Sequence, residues 1–443
     1  MKCVVVGGGI AGVSCVNEML RLDRSPDLEV VLINASSFVK TVHNYQKVGQ
    51  LGEKFDVRES KVSEVFADRR FTFINWQVTR WDVMNKAVWL ENRDVVHYDK
   101  LCIATGARPF ECPLGHHPNF TWNRVLHLRD TQSAKTLQEK LGDAKNVIII
   151  GNGGIATELM YELKNVKLTW VIKDSWICAK FFPEDVEKFI EKRLLAGRPE
   201  GKKHDGAQKH IKYTEAPTDD DSAPTVSESI RARWHVMGPS LGPDWCSGID
   251  FNVKKTSENV ENSEGSRDIT IIRNAEVTGY LWPDSQKEVV INYQDLKDKS
   301  SHDLRADLVI YAGGVRPNSE VWMQPQILCA SPMREICVNE ACETNVPDVY
   351  ACGDVCALVY PYPRPHHIWN QKKLWTQARQ FGEVCGRSIV AGAAEAVMQN
   401  MYFEMFTHCT EFFGMKVSPP TGWTNFIYEH KTTKINNTVW KIV

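Results

Sequence analysis

A glycine-rich turn near the start of the chain most constrains the fold. Residues 3–6 form an apolar run that predicts a strand, Gly7-Gly-Gly-Ile-Ala-Gly12 follows it, and helical periodicity begins at Ile10. The first glycine of such a turn permits a tight bend, the second lets backbone approach a pyrophosphate, and the third lets the helix pack on the strand. The helix N-terminus offers free N–H groups to phosphates. The turn therefore predicts a dinucleotide site, with a purely structural turn as the alternative. The predicted cofactor-binding residues are Gly7, Gly9, Ile10, Ala11 and Gly12.

A second turn of the same kind follows the buried-type strand at residues 146–150. Gly151 and Gly153 occupy the first two glycine positions, and Ala156 is an accepted replacement for the third. The pattern at 99–109, which contains Ala-Thr-Gly-Ala-Arg-Pro, returns at 307–318, ~200 residues later. Two turns and an internal repeat predict two related nucleotide-binding units. The predicted binding residues of the second unit are Gly151, Gly153, Gly154 and Glu158.

The residue that ends the second strand of each unit determines how a nucleotide ribose is bound. A carboxylate is usual about 20 residues beyond the glycines, but the first unit has Asn34, whose amide bonds a hydroxyl without charge assistance. The second unit has Lys173 beside Asp174. A cation suits a 2′-phosphate, whereas a carboxylate suits a free hydroxyl. We therefore place Asn34 and Lys173 in the cofactor sites, and the choice between NADH and NADPH stays open.

Two charged side chains are candidate catalytic residues. Lys40 follows the second strand of the first unit, and a cation there favours negative charge at N1 or N5 of a flavin; a solvated loop lysine is the equal alternative. Glu158 is suited to orienting a nicotinamide, and the alternative is an exposed first-turn acid favoured by the helix dipole. No cysteine occurs between Cys15 and Cys102. The helix-borne cysteine pair of enzymes like glutathione reductase is therefore missing.

A third signal lies at residues 344–354, where a strand pattern ends in Gly353-Asp354. After two glycine turns and the Thr105-Gly106 turn, this pair predicts a carboxylate beside the ribityl and phosphate end of FAD. The helical pattern at 372–386 predicts a helix whose start faces the flavin ring. Trp375 and Gln377 lie at that start.

Composition limits the class of protein. A chain of 443 residues predicts two or three domains, and 43% hydrophobic with 24% charged residues is typical of globular proteins. The net charge of −2 argues against bulk affinity for nucleic acid or an anionic membrane. No apolar run reaches the ~18–20 residues of a membrane span, and no signal peptide pattern precedes the first strand. The 13 scattered cysteines predict a reducing compartment, cytoplasmic and nuclear.

These motifs, together with Leu241-Gly-Pro-Asp-Trp245 and Leu374-Trp-Thr-Gln-Ala-Arg-Gln380, resemble the pyridine nucleotide-disulphide oxidoreductase family over residues 1–417. The resemblance implies FAD and NAD(P)H as cofactors, and an association with keeping the tRNA ligase complex active under oxidising conditions. It implies that FAD is held by Gly7, Gly9, Gly12, Thr105, Gly106, Asp354 and Arg129. It implies that NAD(P)H is held by Gly151, Gly153, Ile155 and Glu158, with Gly313 and Gly314 near the junction.

The expected fold is α/β, with two Rossmann-like domains, the second inserted in the first, and a short C-terminal α+β remnant. We expect an FAD-binding domain at 1–125 and 305–395, and an NAD(P)H-binding domain at 126–304. Residues 197–266, rich in Gly, Pro, Ser, Lys and Asp, predict a disordered insertion. Residues 396–443 depart from the family pattern after Val417 and predict a truncated interface segment.

Three functions are consistent with this arrangement. The first is an FAD oxidoreductase that takes hydride from NAD(P)H and reduces a non-disulphide acceptor. The second is a disulphide reductase that uses Cys352 and Cys356, whose spacing would bring them together on a helical turn. The third is a redox-sensing binding protein with little turnover. No metal site is predicted, because Cys329, Cys337 and Cys342 lack zinc-ribbon spacing.

Overall fold

The fold is described from a computed structural model of the chain. The structure describes residues 1–48, 52–110, 124–128, 131–142, 144–179, 182, 184–196, 267–281, 288–325, 327, 329–330, 334–358, 373, 375–398, and four short strands between 410 and 440. The predicted insertion at 197–266 and the predicted FAD ligand Arg129 lie outside these residues.

The described residues up to 110 contain two helices and ten strands. The helices are α1 (Ile10–Leu22) and α2 (Val62–Val65). The strands are β1 (Lys2–Val6), β2 (Glu29–Ile33), β3 (Phe38–Val48), β4 (Gly52–Lys61), β5 (Phe71–Ile74), β6 (Val78–Asp82), β7 (Ala87–Leu90), β8 (Val95–His97), β9 (Lys100–Ile103) and β10 (Ala107–Pro109).

The described residues beyond 110 contain five more helices. They are α3 (Thr131–Leu141), α4 (Gly154–Glu162), α5 (Glu187–Ala196), α6 (Trp375–Ala391) and α7 (Ala393–Met398). The strands up to residue 311 are β11 (Val125–Leu126), β12 (Asn146–Ile150), β13 (Lys167–Val171), β14 (Ile269–Ile272), β15 (Ala275–Leu281), β16 (Val289–Asp295), β17 (Ser301–Ala306) and β18 (Leu308–Tyr311). The remaining strands are β19 (Val315–Pro317), β20 (Cys329–Ala330), β21 (Glu335–Val338), β22 (Val349–Ala351), β23 (Cys356–Leu358), β24 (Thr410–Phe412), β25 (Met415–Val417), β26 (Thr433–Ile435) and β27 (Thr438–Trp440).

Two five-stranded parallel sheets organise the molecule. The first has the order β22-β9-β1-β2-β5, and the second has the order β11-β18-β12-β13-β14. Their central strands, β1 and β12, are almost wholly buried runs of valine and isoleucine, because helices and other elements cover parallel sheets on both faces. A glycine turn leaves each central strand and enters a helix. The predicted α/β fold with two Rossmann-like units is confirmed.

Sheet membership differs from the sequence-based division at one strand. The boundary predicted at residue 305 put β18 in the first unit, yet β18 pairs with β12 and β11 in the second sheet. The prediction followed the local strand pattern at 307–318, whereas the pairing partner of a parallel strand lies far away in sequence. The domain division stays a proposal, with β11 and β18 placed by their sheet in the NAD(P)H-type unit.

Smaller antiparallel units surround the two sheets. β3 and β4 form a long hairpin with an irregular register between His43 and Gln46, and β6-β7-β8 form a meander. β15-β16-β17 form a second meander beside the second sheet. β10 and β19, which lie at corresponding places in the two copies of the internal repeat, pair antiparallel and so connect the two units.

Close packing of α1 on α6 holds the first glycine turn in place. A Cβ added at Gly382 would lie 2.2 Å from the Ala11 carbonyl oxygen, and one at Gly386 would lie 2.6 Å from the Cys15 carbonyl oxygen. Only glycine lets the two backbones approach this closely. Within the described residues, no helix is both long and apolar enough to cross a membrane.

In the described residues, the predicted C-terminal segment contains the end of α7 and two short hairpins. β24 pairs with β25, and β26 pairs with β27, both antiparallel. The expectation that this segment is a shortened interface domain stays a prediction.

Candidate functional site

The first glycine turn has the geometry that a dinucleotide site requires. Gly7 has a φ of +118°, and a Cβ there would lie 2.2 Å from the Ala104 carbonyl oxygen. A Cβ on Gly12 would lie 1.9 Å from the Gly7 carbonyl oxygen, so the helix can approach the strand only at glycine. Gly9 is different, because a Cβ there meets no described atom within 4 Å. The second glycine therefore faces open space, where a pyrophosphate fits.

The N-terminus of α1 supports the same interpretation. Gly9 caps the helix in extended backbone, and no side chain among the described residues bonds the first N–H groups. The first N–H groups of a helix have no intrahelical partner, and together with the helix dipole they bind an anion.

The second glycine turn repeats this geometry. Gly151 has a φ of +123°, with a Cβ position 2.3 Å from the Ala312 carbonyl oxygen, and Gly153 again has no described atom within 4 Å of its Cβ position. The Trp170 indole donates to the Gly151 carbonyl at 2.6 Å. Gly154 and Ile155 begin α4 and are partly exposed, whereas Ala156 is fully buried. The two turns are therefore duplicates in structure as well as in sequence.

Asn34 holds the first turn rather than standing free beside it. Its Oδ1 accepts from the Gly8 N–H at 3.0 Å, and its Nδ2 donates to the carbonyls of Ser36 at 2.8 Å and Phe38 at 3.0 Å. Both amide hydrogens have partners in the chain, so Oδ1 is the atom left to accept a ribose hydroxyl. The predicted ribose contact of Asn34 stays a prediction.

The ribose position of the second unit contains two opposite charges. Asp174 Oδ2 accepts from Asn152 Nδ2 at 2.7 Å, and Asn152 follows the first glycine of the turn. Lys173 Nζ pairs with Glu276 Oε1 at 2.7 Å on the surface. An exposed pair of this kind contributes at most about 1 kcal/mol, so a 2′-phosphate can compete for Lys173. The choice between NADH and NADPH stays open.

The two copies of the internal repeat are tied together at the junction of the units. Thr105 Oγ1 donates to the Asn318 carbonyl at 2.7 Å, and Asn318 Nδ2 donates back to the Thr105 carbonyl at 2.9 Å. The Phe110 N–H donates to the Gly314 carbonyl at 2.9 Å. Gly106 and Gly314 have φ values of +65° and +114°, which favour glycine.

Two further features complete the junction. A Cβ on Gly313 would lie 2.5 Å from the outer end of the Tyr311 ring, so a larger residue there would require this ring to move. Glu320 accepts from Arg108 and Arg316, and the hydrogen bond from Arg108 lowers the pKa of the Glu320 carboxyl to about 2. Sequence reasoning missed Asn318, because an asparagine after Arg-Pro carries no signal by itself.

The Gly353-Asp354 turn lies against the start of α1. Gly353 has a φ of +78°, and a Cβ there would lie 2.8 Å from Ala11 Cβ. Lys373 Nζ donates to the Asp354 carbonyl at 2.8 Å and pairs with Glu335 at 2.7 Å. The structure thus brings together the three predicted segments of the first cofactor site: the Gly7–Gly12 turn, Thr105-Gly106 and Gly353-Asp354.

The β3–β4 hairpin packs on the start of α6. Lys40 donates its backbone N–H to the Gly8 carbonyl at 2.9 Å, and its Nζ lies 5.1 Å from the centroid of the Trp375 ring. The guanidinium of Arg379 lies 4.7 Å from the Tyr45 ring centroid. Such cation–π contacts contribute about 0.5–2 kcal/mol. The predicted residues Lys40 and Trp375 therefore lie together, next to the first glycine turn.

An apolar cluster supports this contact. Ile10, Phe55 and Val57 are buried together, and Trp375 packs against them. Gln377 is buried on α6, in the helical turn after Trp375. Sequence reasoning missed Phe55 and Tyr45, because it assigned no structure to residues 41–61.

Glu158 is buried on α4, four residues after the helix begins at Gly154. The alternative interpretation, an exposed first-turn acid, is therefore wrong. Its placement on the helix that follows the second glycine turn is compatible with the predicted nicotinamide contact, which stays a prediction.

Cys352 and Cys356 are not paired on a helical turn, so that prediction is wrong. Both have extended backbone, at the two ends of a short 3₁₀ turn over Gly353–Val355. Cys356 Sγ donates to the Gly353 carbonyl at 3.3 Å, whereas Cys352 Sγ lies 3.6 Å from Cys102 Sγ. The contact with Cys102 and burial raise the pKa of Cys352 to about 12, and burial raises the pKa of Cys356 well above its usual range. Neutral buried thiols of this kind are poor nucleophiles.

The chain was compared with known proteins. A family described as "Pyridine nucleotide-disulphide oxidoreductase" matches residues 1–197 and 250–382. The chain is similar to pyridine nucleotide-disulfide oxidoreductase domain-containing protein 1 of Drosophila melanogaster, with 36% identity over 94% of this chain and 82% of that protein. The protein of the same name from Homo sapiens is 31% identical, again over 94% of this chain and 82% of that protein.

Solved structures share the fold at lower identity. A NAD-dependent persulfide reductase from A. fulgidus has a TM-score of 0.58 and 18% identity, and the match covers 94% of this chain and 63% of that one. A water-forming NADH oxidase from Lactobacillus brevis bound to NADH has a TM-score of 0.54 and 18% identity, over 88% of this chain and 69% of that one.

Proposed function

Because the chain belongs to the pyridine nucleotide-disulphide oxidoreductase family, we propose that it is an FAD enzyme that accepts hydride from NAD(P)H and reduces a non-disulphide acceptor. Oxidoreductase activity follows from the family. The observation that carries the finer proposal is the pair of duplicate glycine turns, each with open space at its second glycine. The units that contain these turns are connected by the β10–β19 pair.

In this proposal the first unit binds FAD. The open face of Gly9 and the free N–H groups of α1 hold the pyrophosphate, and Asp354 holds sugar hydroxyls beside the same helix. Asn34 Oδ1 accepts from the adenosine ribose. Bound FAD would accept a hydride and pass the electrons on. The β3–β4 hairpin keeps Lys40 near Trp375. There Lys40 supplies positive charge beside the flavin ring.

The second unit binds NAD(P)H by the same means. The N-terminus of α4 and the open face of Gly153 hold the pyrophosphate, and Asp174 or Lys173 contacts the adenosine ribose. Glu158 orients the nicotinamide half. Gly313 and Gly314, at the end of the β18 strand, leave room where the two units meet.

The acceptor is proposed to be something other than a protein disulphide. The chain has no cysteine between Cys15 and Cys102, and this stretch includes the β3–β4 hairpin next to Trp375. Cys352 and Cys356 are buried and have different partners: Cys352 contacts the Cys102 thiol, and Cys356 donates to the Gly353 carbonyl. These observations support a one- or two-electron acceptor such as oxygen or a quinone.

A finer biological role comes from the family resemblance alone. We propose that the protein helps to keep a tRNA ligase complex active under oxidising conditions, in the cytoplasm and nucleus. If so, the ligase complex should be retained on the immobilised, FAD-loaded protein, and capture that depends on NAD(P)H would favour the redox-sensing alternative over turnover. Failure to retain the complex under either condition argues against this role without affecting the enzyme proposal.

Rapid mixing tests the enzyme proposal. Anaerobic mixing of the FAD-loaded protein with NADH or NADPH should bleach the yellow flavin band at roughly 1 s⁻¹ or faster, and oxygen or a quinone should restore it. The faster of the two dinucleotides identifies the preferred donor. Protein that is colourless and does not take up flavin would contradict the proposal. Slow bleaching with a persistent long-wavelength band would favour the redox sensor.

Lys40→Met is expected to slow flavin reduction by roughly tenfold, about 1.4 kcal/mol of activation free energy, because positive charge near the ring is lost. Lys40→Arg should retain most of the rate. Lys2→Met is a matched control, since Lys2 pairs with Glu29 at the other end of β1. Equal rates for the unchanged protein and Lys40→Met would assign Lys40 to packing on Trp375 alone.

A further inference from the structure

Four buried thiols meet behind the first glycine turn. Cys15 lies on α1, Cys102 on β9, Cys352 just after β22 and Cys385 on α6, and all four are fully buried free cysteines. Cys102 is central, because its Sγ lies 3.7 Å from that of Cys15, 3.6 Å from that of Cys352 and 3.5 Å from that of Cys385. We call these four residues the thiol cluster.

Three of the four sulfurs are close enough together to bind one metal ion. Zinc–sulfur bonds of about 2.3 Å in a tetrahedron separate neighbouring sulfurs by about 3.8 Å. The sulfurs of Cys15, Cys102 and Cys385 all lie within 4.8 Å of one another, and three of the contacts in the cluster are 3.5–3.7 Å. Cys352 Sγ contacts this group through Cys102 Sγ.

We propose that the thiol cluster is a structural Zn²⁺ site, with Cys15, Cys102 and Cys385 as ligands and Cys352 as the fourth. An all-sulfur donor set selects soft or borderline metals over Mg²⁺ or Ca²⁺, which prefer oxygen. A closed four-ligand site is structural rather than catalytic. The reaction proposed above assigns no step to these four cysteines.

Binding changes the protonation of the cluster. Each ligating thiol loses its proton to solvent, so Zn²⁺ with three thiolates has a net charge of −1 and with four a net charge of −2. The cation offsets two of the thiolate charges, so each buried thiolate has a positive partner and a smaller net negative charge stays on the site.

The position of the site gives it a structural role. Cys15 lies three residues beyond Gly12, and Asp354 lies two residues beyond Cys352, so the metal would connect the two segments proposed to hold FAD. It would also fix α6 on α1, where Gly386 already touches the Cys15 carbonyl. Loss of the metal should therefore loosen the first unit and not the second.

Metal analysis of the full-length, FAD-loaded protein tests the proposal. Protein from zinc-supplemented culture, passed through EDTA, should contain about one zinc per chain by mass spectrometry. Cys102→Ala should reduce this at least tenfold, because it removes the central ligand. Cys178→Ala is the matched control, because Cys178 is equally buried but its Sγ donates to Thr157 Oγ1 in the second unit. The zinc content of the Cys178→Ala variant should be unchanged.

A second measurement covers the case in which Cys102→Ala does not fold. The unchanged protein refolded with Co²⁺ should show the visible bands of tetrahedral thiolate coordination, and Zn²⁺ should remove them. Zinc below a tenth of an atom per chain together with no cobalt bands would overturn the proposal and assign the thiols to apolar packing. Equal zinc loss in the Cys102 and Cys178 variants would overturn it as well. Flavin content, measured separately, distinguishes failure of this site from failure of the proposed function.

Discussion

Gly9→Ala is expected to remove FAD from the protein while leaving the apoprotein folded. The backbone at Gly9 has a φ of −73°, which alanine adopts without strain, and the added methyl meets no described atom within 4 Å. The methyl occupies the space that a pyrophosphate needs in order to reach the N-terminus of α1. FAD affinity should therefore fall at least tenfold, about 1.4 kcal/mol or more.

Gly153→Ala is the matched variant in the second unit. Gly153 has a φ of −91° and the same open Cβ position. The Gly153→Ala variant should keep FAD, whereas its affinity for NAD(P)H should fall by a similar factor. The measurement is the NAD(P)H concentration that gives half-maximal flavin reduction, which should rise. Flavin content and thermal unfolding of the two apoproteins complete the comparison.

Three other outcomes for Gly9→Ala and Gly153→Ala would each contradict part of this assignment. If Gly9→Ala retains full flavin with unchanged affinity, the first turn is structural, which is the alternative that the sequence left open. If Gly153→Ala loses FAD while Gly9→Ala keeps it, the two units have been assigned to the wrong nucleotides. Loss of both nucleotides in both variants with a lowered Tm would show that the turns act through folding.

Local patterns predicted the fold because the signals that define it are local. Each central strand is an apolar run, and each turn places glycines at fixed offsets, so both Rossmann-like units follow from a few residues. The site residues at Gly7, Thr105 and Gly353 lie together because the carboxyl ends of parallel strands meet at one edge of a sheet. Their contacts with a cofactor are still predictions.

Contacts between distant segments could not be predicted in this way. The sulfur contacts of Cys102 join residues 87, 250 and 283 positions away, and no spacing rule for metal ligands covers such separations. The sequence also left open whether Glu158 is exposed, because amphipathic patterns do not show what covers a helix. The pairing of β18 with β12 and the packing of the β3–β4 hairpin on Trp375 depend on tertiary structure in the same way.

Arg267 lies directly after the 197–266 segment and holds two helix ends in the second unit. Its guanidinium donates to the carbonyls of Leu194 at 2.8 Å and Leu163 at 2.6 Å, and it also bonds the Met160 carbonyl. These groups belong to the C-terminal ends of α4 and α5, whose last carbonyls have no intrahelical partner. Burial lowers the pKa of Arg267 to about 10, so the side chain is still charged at neutral pH.

Arg267→Ala should therefore lower the free energy of unfolding by about 3 kcal/mol or more, because partly buried carbonyls lose a charged donor. For a domain of this size the Tm should fall by roughly 10 °C. Arg267→Met keeps the aliphatic stem, and a similar loss would assign the effect to the hydrogen bonds rather than to packing. Arg305→Ala is the control: Arg305 is 70% exposed and pairs with Glu288, so its loss should cost less than about 1 kcal/mol. Equal Tm values for the Arg267 and Arg305 alanine variants would show that the helix ends are stabilised without Arg267.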